Sequence, residues 1–152
     1  MTARNRNERP EEYEEEKGMK RTTGILVAML LVVFLAAGPA LAALPLLVGT
    51  DHAEQIKGTK NAEEIRGLGG ADEIVDGRGK DAVYGGSGVD NLIGYGGDTS
   101  MDRFYAGGGN DTIQSKDVPV VRDVVRCGTG TDTVSADKAD LVSDDCERVL
   151  TR

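Results

Sequence analysis

Between Gly49 and Ile93 the apolar positions of this chain return on a fixed schedule. Cut at Gly49, the sequence reads GTDHAEQIK, GTKNAEEIR, GLGGADEIV, DGRGKDAVY and GGSGVDNLI, five ungapped units of nine residues. Position eight is apolar every time (Ile56, Ile65, Ile74, Val83, Leu92), and position six is acidic every time (Glu54, Glu63, Asp72, Asp81, Asp90). Self-similarity at a fixed period is the mark of a stacked repeat, and it takes precedence over local propensity in choosing a fold.

The register continues with insertions. GYGGDTSMDRFY carries Asp102 and Phe104, AGGGNDTIQ carries Asp111 and Ile113, and SKDVPVVRDVVR carries Asp123 and Val125. CGTGTDTVS follows with Asp132 and Val134, and a longer tenth unit, ADKADLVSDDCERV, ends with Glu147 and Val149 in the same places. One inward position per unit predicts a strand of about three residues, because side chains on a strand alternate between faces. Six glycine-rich residues then reverse the chain. Two units make one coil, and stacked coils give two parallel sheets with a ladder of Ile, Val and Leu between them. The expected fold is all-β: a parallel β-roll, that is, a right-handed β-solenoid with 18-residue coils made of two nonapeptides.

Composition explains why the fold needs more than its apolar ladder. The chain has 21 glycines, no Trp and 4% aromatic residues, poor material for an ordinary core. Its formal net charge is −8. Acids and bases balance over residues 1–42, so the whole surplus lies on the glycine-rich part. That sign argues against nucleic acid and favours cations as partners.

The N-terminal region is different in kind. Residues 1–18 are charged, low in apolar content and expected to be disordered, and since Met19 would open a compact export signal by itself, they also read as a mis-called start. Residues 19–42 have the parts of a signal peptide: Lys20 and Arg21, an apolar run from Ile25 to Ala37 that predicts a signal helix, and the small-residue pattern Ala40-Leu41-Ala42. A secreted, extracellular location follows, with an uncleaved membrane anchor as the alternative. After export two cysteines remain, Cys127 and Cys146, and an even count in an oxidising compartment suggests a disulfide rather than two free thiols. The expected division is residues 43–135 for the roll and residues 136–152 for a C-terminal cap.

GGSGVD and AGGGND resemble the calcium-binding nonapeptide of the repeats-in-toxin (haemolysin-type) family, G-G-x-G-x-D-x-U-x, a pattern known for its calcium-binding β-helix. The C-terminal segment from Cys127 also resembles the ending of small secreted actinobacterial proteins of that family. The chemistry of the residues agrees. Stacking places every second acid in one column about 4.8 Å from its neighbour, where carboxylates repel unless a cation sits between them. Glycine carbonyls are unshielded and can share the ion, and an all-oxygen shell without His or Cys suits calcium better than magnesium. His52, the only histidine, is read as a turn residue.

Units one, three, five, seven and nine are uninterrupted and share one edge, so that edge is expected to hold the better ladder. Its metal ligands are Asp72, Asp90, Asp111 and Asp132, with the turn residues Gly67, Gly69, Gly85, Gly86, Ser87, Gly88, Gly107 and Gly109; the resemblance implies the same ligand scheme. Units six, eight and ten are expected on the other edge, where Asp81 and Asp102 form one further site. The first two units, with Glu for Asp, read as a cap that binds metal poorly. The function expected is a non-enzymatic, secreted, calcium-binding roll with a structural or adhesive role, monomeric, that folds on calcium and meets a cell-envelope or polysaccharide partner. A calcium-dependent polysaccharide-acting enzyme and a glycan- or ice-binding solenoid are the alternatives. No Ser/His/Asp or Cys/His set accompanies the first, and the outward position-seven column (Gln55, Glu64, Glu73, Ala82, Asn91) is too mixed for the second.

Overall fold

A computed structural model describes residues 43–151. The expectations for residues 1–42, the charged segment and the export signal, lie outside the described residues. Twelve strands follow one another: β1 (Leu46–Val48), β2 (Gln55–Lys57), β3 (Glu64–Gly69), β4 (Glu73–Val75), β5 (Ala82–Ser87), β6 (Asn91–Ile93), β7 (Arg103–Gly108), β8 (Thr112–Gln114), β9 (Val124–Thr129), β10 (Thr133–Ala136), β11 (Leu141–Val142) and β12 (Arg148–Thr151). The described residues contain no helix long and apolar enough to cross a membrane.

The strands sort by parity into two six-stranded sheets, β1-β3-β5-β7-β9-β11 and β2-β4-β6-β8-β10-β12. Every pairing is parallel. The register aligns the predicted rungs. Leu47, Ile65, Val83, Phe104, Val125 and Val142 stack in one sheet. Ile56, Ile74, Leu92, Ile113, Val134 and Val149 stack in the other. The rungs from Ile65 to Val134 are fully buried and form one continuous core, while Val149 at the end is 42% exposed. Parallel pairing at every step means each coil's free edge is covered only by the next coil, so stability is a nearest-neighbour property.

Three features depart from expectation. The strands of the two sheets differ in length: β2, β4, β6 and β8 have three residues as predicted, but β3, β5, β7 and β9 have six. The longer strands run on into the following turn because its first residue (Gly67, Gly85, Ala106 or Cys127) is small enough to face inward without a rung's bulk. Second, an extra strand precedes the first nonapeptide, since β1 pairs with β3 and buries Leu47.

Third, the tenth unit is not one unit on the inserted edge. Its first half supplies β11 to the β9 sheet, and its second half supplies β12 to the β10 sheet, pairing Val149 with Val134. Glu147 therefore belongs to the uninterrupted edge, and Asp140 takes the place on the inserted edge. The cap is a further coil with a shortened turn. Cys127 and Cys146 are disulfide-bonded across that turn, with Cα atoms 5.2 Å apart. The Asp145 carboxylate accepts hydrogen bonds from the Cys127 and Gly128 backbone N–H groups, at 3.3 and 3.1 Å.

Candidate metal centre

The turn acids form two hydrogen-bonded columns. On the uninterrupted edge, the backbone N–H of Glu54 donates to Asp72 Oδ1, that of Asp72 to Asp90, that of Asp90 to Asp111 and that of Asp111 to Asp132, at 2.7–2.9 Å. Asp132 then donates to Glu147 Oε2 at 2.8 Å. The inserted edge repeats the pattern through Glu63, Asp81, Asp102, Asp123 and Asp140, at 2.7–3.0 Å. One oxygen of each carboxylate thus locks two coils together. The second is left over: Oδ2 of Asp72, Asp81, Asp90, Asp111 and Asp132 is buried without a hydrogen-bond partner. A buried, unpaired carboxylate oxygen is costly, so its recurrence at one position of the repeat marks a place for a ligand.

The turn backbone supplies further oxygens. A Cβ placed at Gly67 would collide with both Asp72 Oδ2 and the Gly85 carbonyl oxygen of the next coil. At Gly85 the same space is bounded, each at 2.5 Å from an ideal Cβ, by Asp90 Oδ2 and the Ala106 carbonyl oxygen. These cradles hold one carboxylate and one carbonyl oxygen each. Positions two and four of the same turns have positive φ, for example 128° at Gly88 and 143° at Gly109. That conformation sends the Gly70 carbonyl oxygen toward Gly88 and the Gly88 carbonyl oxygen toward Gly109, so close that neither glycine has room for a side chain.

Of the sequence-predicted residues, Asp72, Asp90, Asp111 and Asp132 share one column, with the Gly85 carbonyl directed back to the preceding coil and those of Gly86, Gly88, Gly107 and Gly109 forward to the following one. The carbonyl of Ser87 instead accepts the Gly70 N–H at 3.0 Å. Gly67 directs its carbonyl toward Gly49, and Gly69 donates its N–H to Thr50 at 3.1 Å. Two backbone oxygens facing the Asp72–Asp90 interval were missed, those of Leu68 and Gly70. The repeat could have shown them, since they hold the same positions as Gly86 and Gly88.

Asp81 and Asp102 come together on the inserted edge, in company the repeat did not announce. Asp76, Asp98, Asp117 and Asp137 are buried there as well. Asp76 stands where the repeat has its first glycine, and Asp98 and Asp117 come from the insertions. Asp98 Oδ2 accepts the Gly79 N–H at 2.6 Å, and the Asp117 N–H donates to Asp137 Oδ2 at 2.8 Å.

Burial raises the pKa of several acids in each column. Loss of solvent, reinforced by neighbouring carboxylates, raises Asp72 and Asp111 to about 6, and Asp81, Asp102 and Asp123 to about 7. Asp76, with Asp102 and Asp81 beside it, reaches about 8. At Asp98 burial is outweighed by the N–H groups of Thr99, Gly79 and Ser100, which hold its pKa below the usual value. Acids that resist ionisation in an anionic column want a positive charge, and an all-oxygen shell of carboxylates and carbonyls is what a hard cation such as calcium takes.

A comparison with known protein families decides the nature of the repeat: the RTX calcium-binding nonapeptide repeat matches in four copies, over residues 57–92, 66–101 and 96–115. Residues 57–115 carry RTX calcium-binding repeats. Calcium is therefore the ion that these turns take, and the RTX pattern agrees with the orphaned oxygens and the close-packed carbonyls. No curated protein and no solved structure gives a significant match to the chain. In such turns the Asp at position six and the turn carbonyls would hold the ion, and calcium would supply the charge that lets stacked carboxylates ionise together.

Proposed function

We propose that the protein is a secreted calcium-binding β-roll without enzymatic activity, which folds when calcium enters its turns and serves a structural or adhesive role at the cell envelope. The observation that carries the reading is the division of labour within each carboxylate. Oδ1 is spent on the neighbouring coil, and Oδ2 is buried and unpaired in register down the stack. A roll that cannot pair those oxygens is unstable until a cation does, which couples binding to folding. The basic and apolar pattern of residues 20–37 supports export, and an external medium rich in calcium is where such a chain would complete its fold.

On the uninterrupted edge the ions are expected between the turns at 67–72 and 85–90, at 85–90 and 106–111, and at 106–111 and 127–132. Equilibrium dialysis of the full chain against calcium checks the core of this reading, with several ions retained per chain and fewer in Asp90→Asn. A chain that retains no calcium contradicts it. Export is read by sequencing the mature N-terminus, expected near Ala43. The adhesive role is read by envelope fractionation, in which association lost on chelation supports it.

A further inference from the structure

The inserted edge holds a group that the nonapeptide pattern does not provide for. Unit four opens with Asp76, whereas the units of the opposite edge open with Gly49, Gly67, Gly85, Ala106 and Cys127. The Asp76 side chain is completely buried. Its Oδ1 accepts the Tyr95 backbone N–H at 2.8 Å, which fixes the carboxylate, and its Oδ2 has no partner. Beside that oxygen lies the side-chain space of Gly94, where a Cβ would stand 3.6 Å from Asp76 Oδ2 and 3.1 Å from Phe104 Cζ. Asp81, five residues on in the same turn, also buries an unpaired Oδ2. Asp102 brings a third carboxylate from the next coil, and one oxygen from each of the three lies within 4.8 Å of the others.

We propose that Asp76, Asp81 and Asp102 form a three-carboxylate site for one divalent cation of calcium's size, richer in charge than the turns of the opposite edge. The proposal deepens the calcium-binding reading and rests on it. The RTX repeats that run through this stretch argue for calcium as the ion, and an all-oxygen set of carboxylates within 4.8 Å of one another is what such a hard cation takes. Charge argues for its valence. Three carboxylates around one site leave a surplus of negative charge even with a divalent ion, so a trivalent lanthanide of similar radius should bind there more tightly still. Asp76 acts here through its charge and not as a turn former, because its backbone place is one that glycine or alanine fills elsewhere in the roll.

The test counts ions. The full chain, Asp76→Asn and Asp90→Asn are dialysed against saturating calcium, and each is then titrated with terbium. Asp76→Asn keeps the acceptor for Tyr95 N–H and should bind one calcium fewer than the parent, retain the remaining ions and lose its tightest terbium site. An ion count and terbium affinity equal to the parent's would overturn the proposal while leaving the calcium-binding roll intact. A parent chain and Asp90→Asn that both bind no calcium would overturn both.

Discussion

The two edges of the roll carry the same hydrogen-bonded column of acids and surround it differently. On the uninterrupted edge each acid is set among small turn residues and backbone carbonyls, and Asp72 and Asp111 rise to about 6. On the inserted edge further carboxylates crowd the column, and Asp76, Asp81, Asp102 and Asp123 reach about 7 to 8, with Asp117 at about 6. Both edges offer position-six carboxylates; one completes its sites mainly with neutral carbonyl dipoles and the other with further charge. The orphaned Oδ2 atoms make both kinds of site costly to the empty roll, and the charge-lined site adds repulsion among its carboxylates to that cost.

The largest effect should come from breaking the column on the dipole-lined edge. Asp90→Ala leaves the buried Asp72 N–H without an acceptor and removes a proposed ligand shared by two neighbouring intervals. A loss of about 3–5 kcal/mol is expected in urea unfolding at saturating calcium. Replacing the disulfide in Cys127→Ser/Cys146→Ser comes next. It releases a loop of 19 residues, and the chain-entropy argument gives a loss of about 3 kcal/mol, measured in the same way.

A third test sharpens the contrast by reversing its sign. The raised acids bind protons in the folded chain at pH values where the unfolded chain has lost them. Whatever stability they lend the calcium-free roll is therefore complete below about pH 4 and is lost as pH rises through 6 to 8. Asp102→Asn removes a charge from the crowded edge while keeping the acceptor for Asp81 N–H. It should make the calcium-free chain more ordered at pH 8 and the calcium-bound chain less stable, with circular dichroism across pH as the readout. The smallest effect belongs to Leu68, which holds φ of 79° where Gly86, Gly107 and Gly128 stand in the neighbouring coils. Leu68→Gly should stabilise the calcium-bound roll by up to about 1 kcal/mol, the relief of left-handed strain exceeding the added chain entropy.

The contrast between edges was only half legible in the sequence. The apolar rungs and the acids two residues before them are set by position in the unit, and Ile65, Val83, Ile74 and Leu92 stand where the period puts them. What the period could not convey lies in residues that break it. Asp76 looks like a lost glycine, and Asp98 and Asp117 look like insertion filler. Only the stacking of coils shows that all three are buried beside the acid column. The last unit misled for a related reason: its shortened turn hides two strands in one stretch, so Asp140 and Glu147 fall on opposite edges. An outward column was missed as well. Tyr84 and Tyr105 stack at 4.8 Å with Arg66 and Arg126 at either end, on the ninth position of alternate units and not the seventh.

All of these contrasts presuppose that calcium and folding are one event. Far-ultraviolet circular dichroism of the full chain, first with chelator and then on calcium addition, tests this most directly. The account predicts a disordered or weakly structured spectrum without calcium and a cooperative gain of β signal as calcium is restored. A β spectrum that is the same in chelator and in calcium would contradict it.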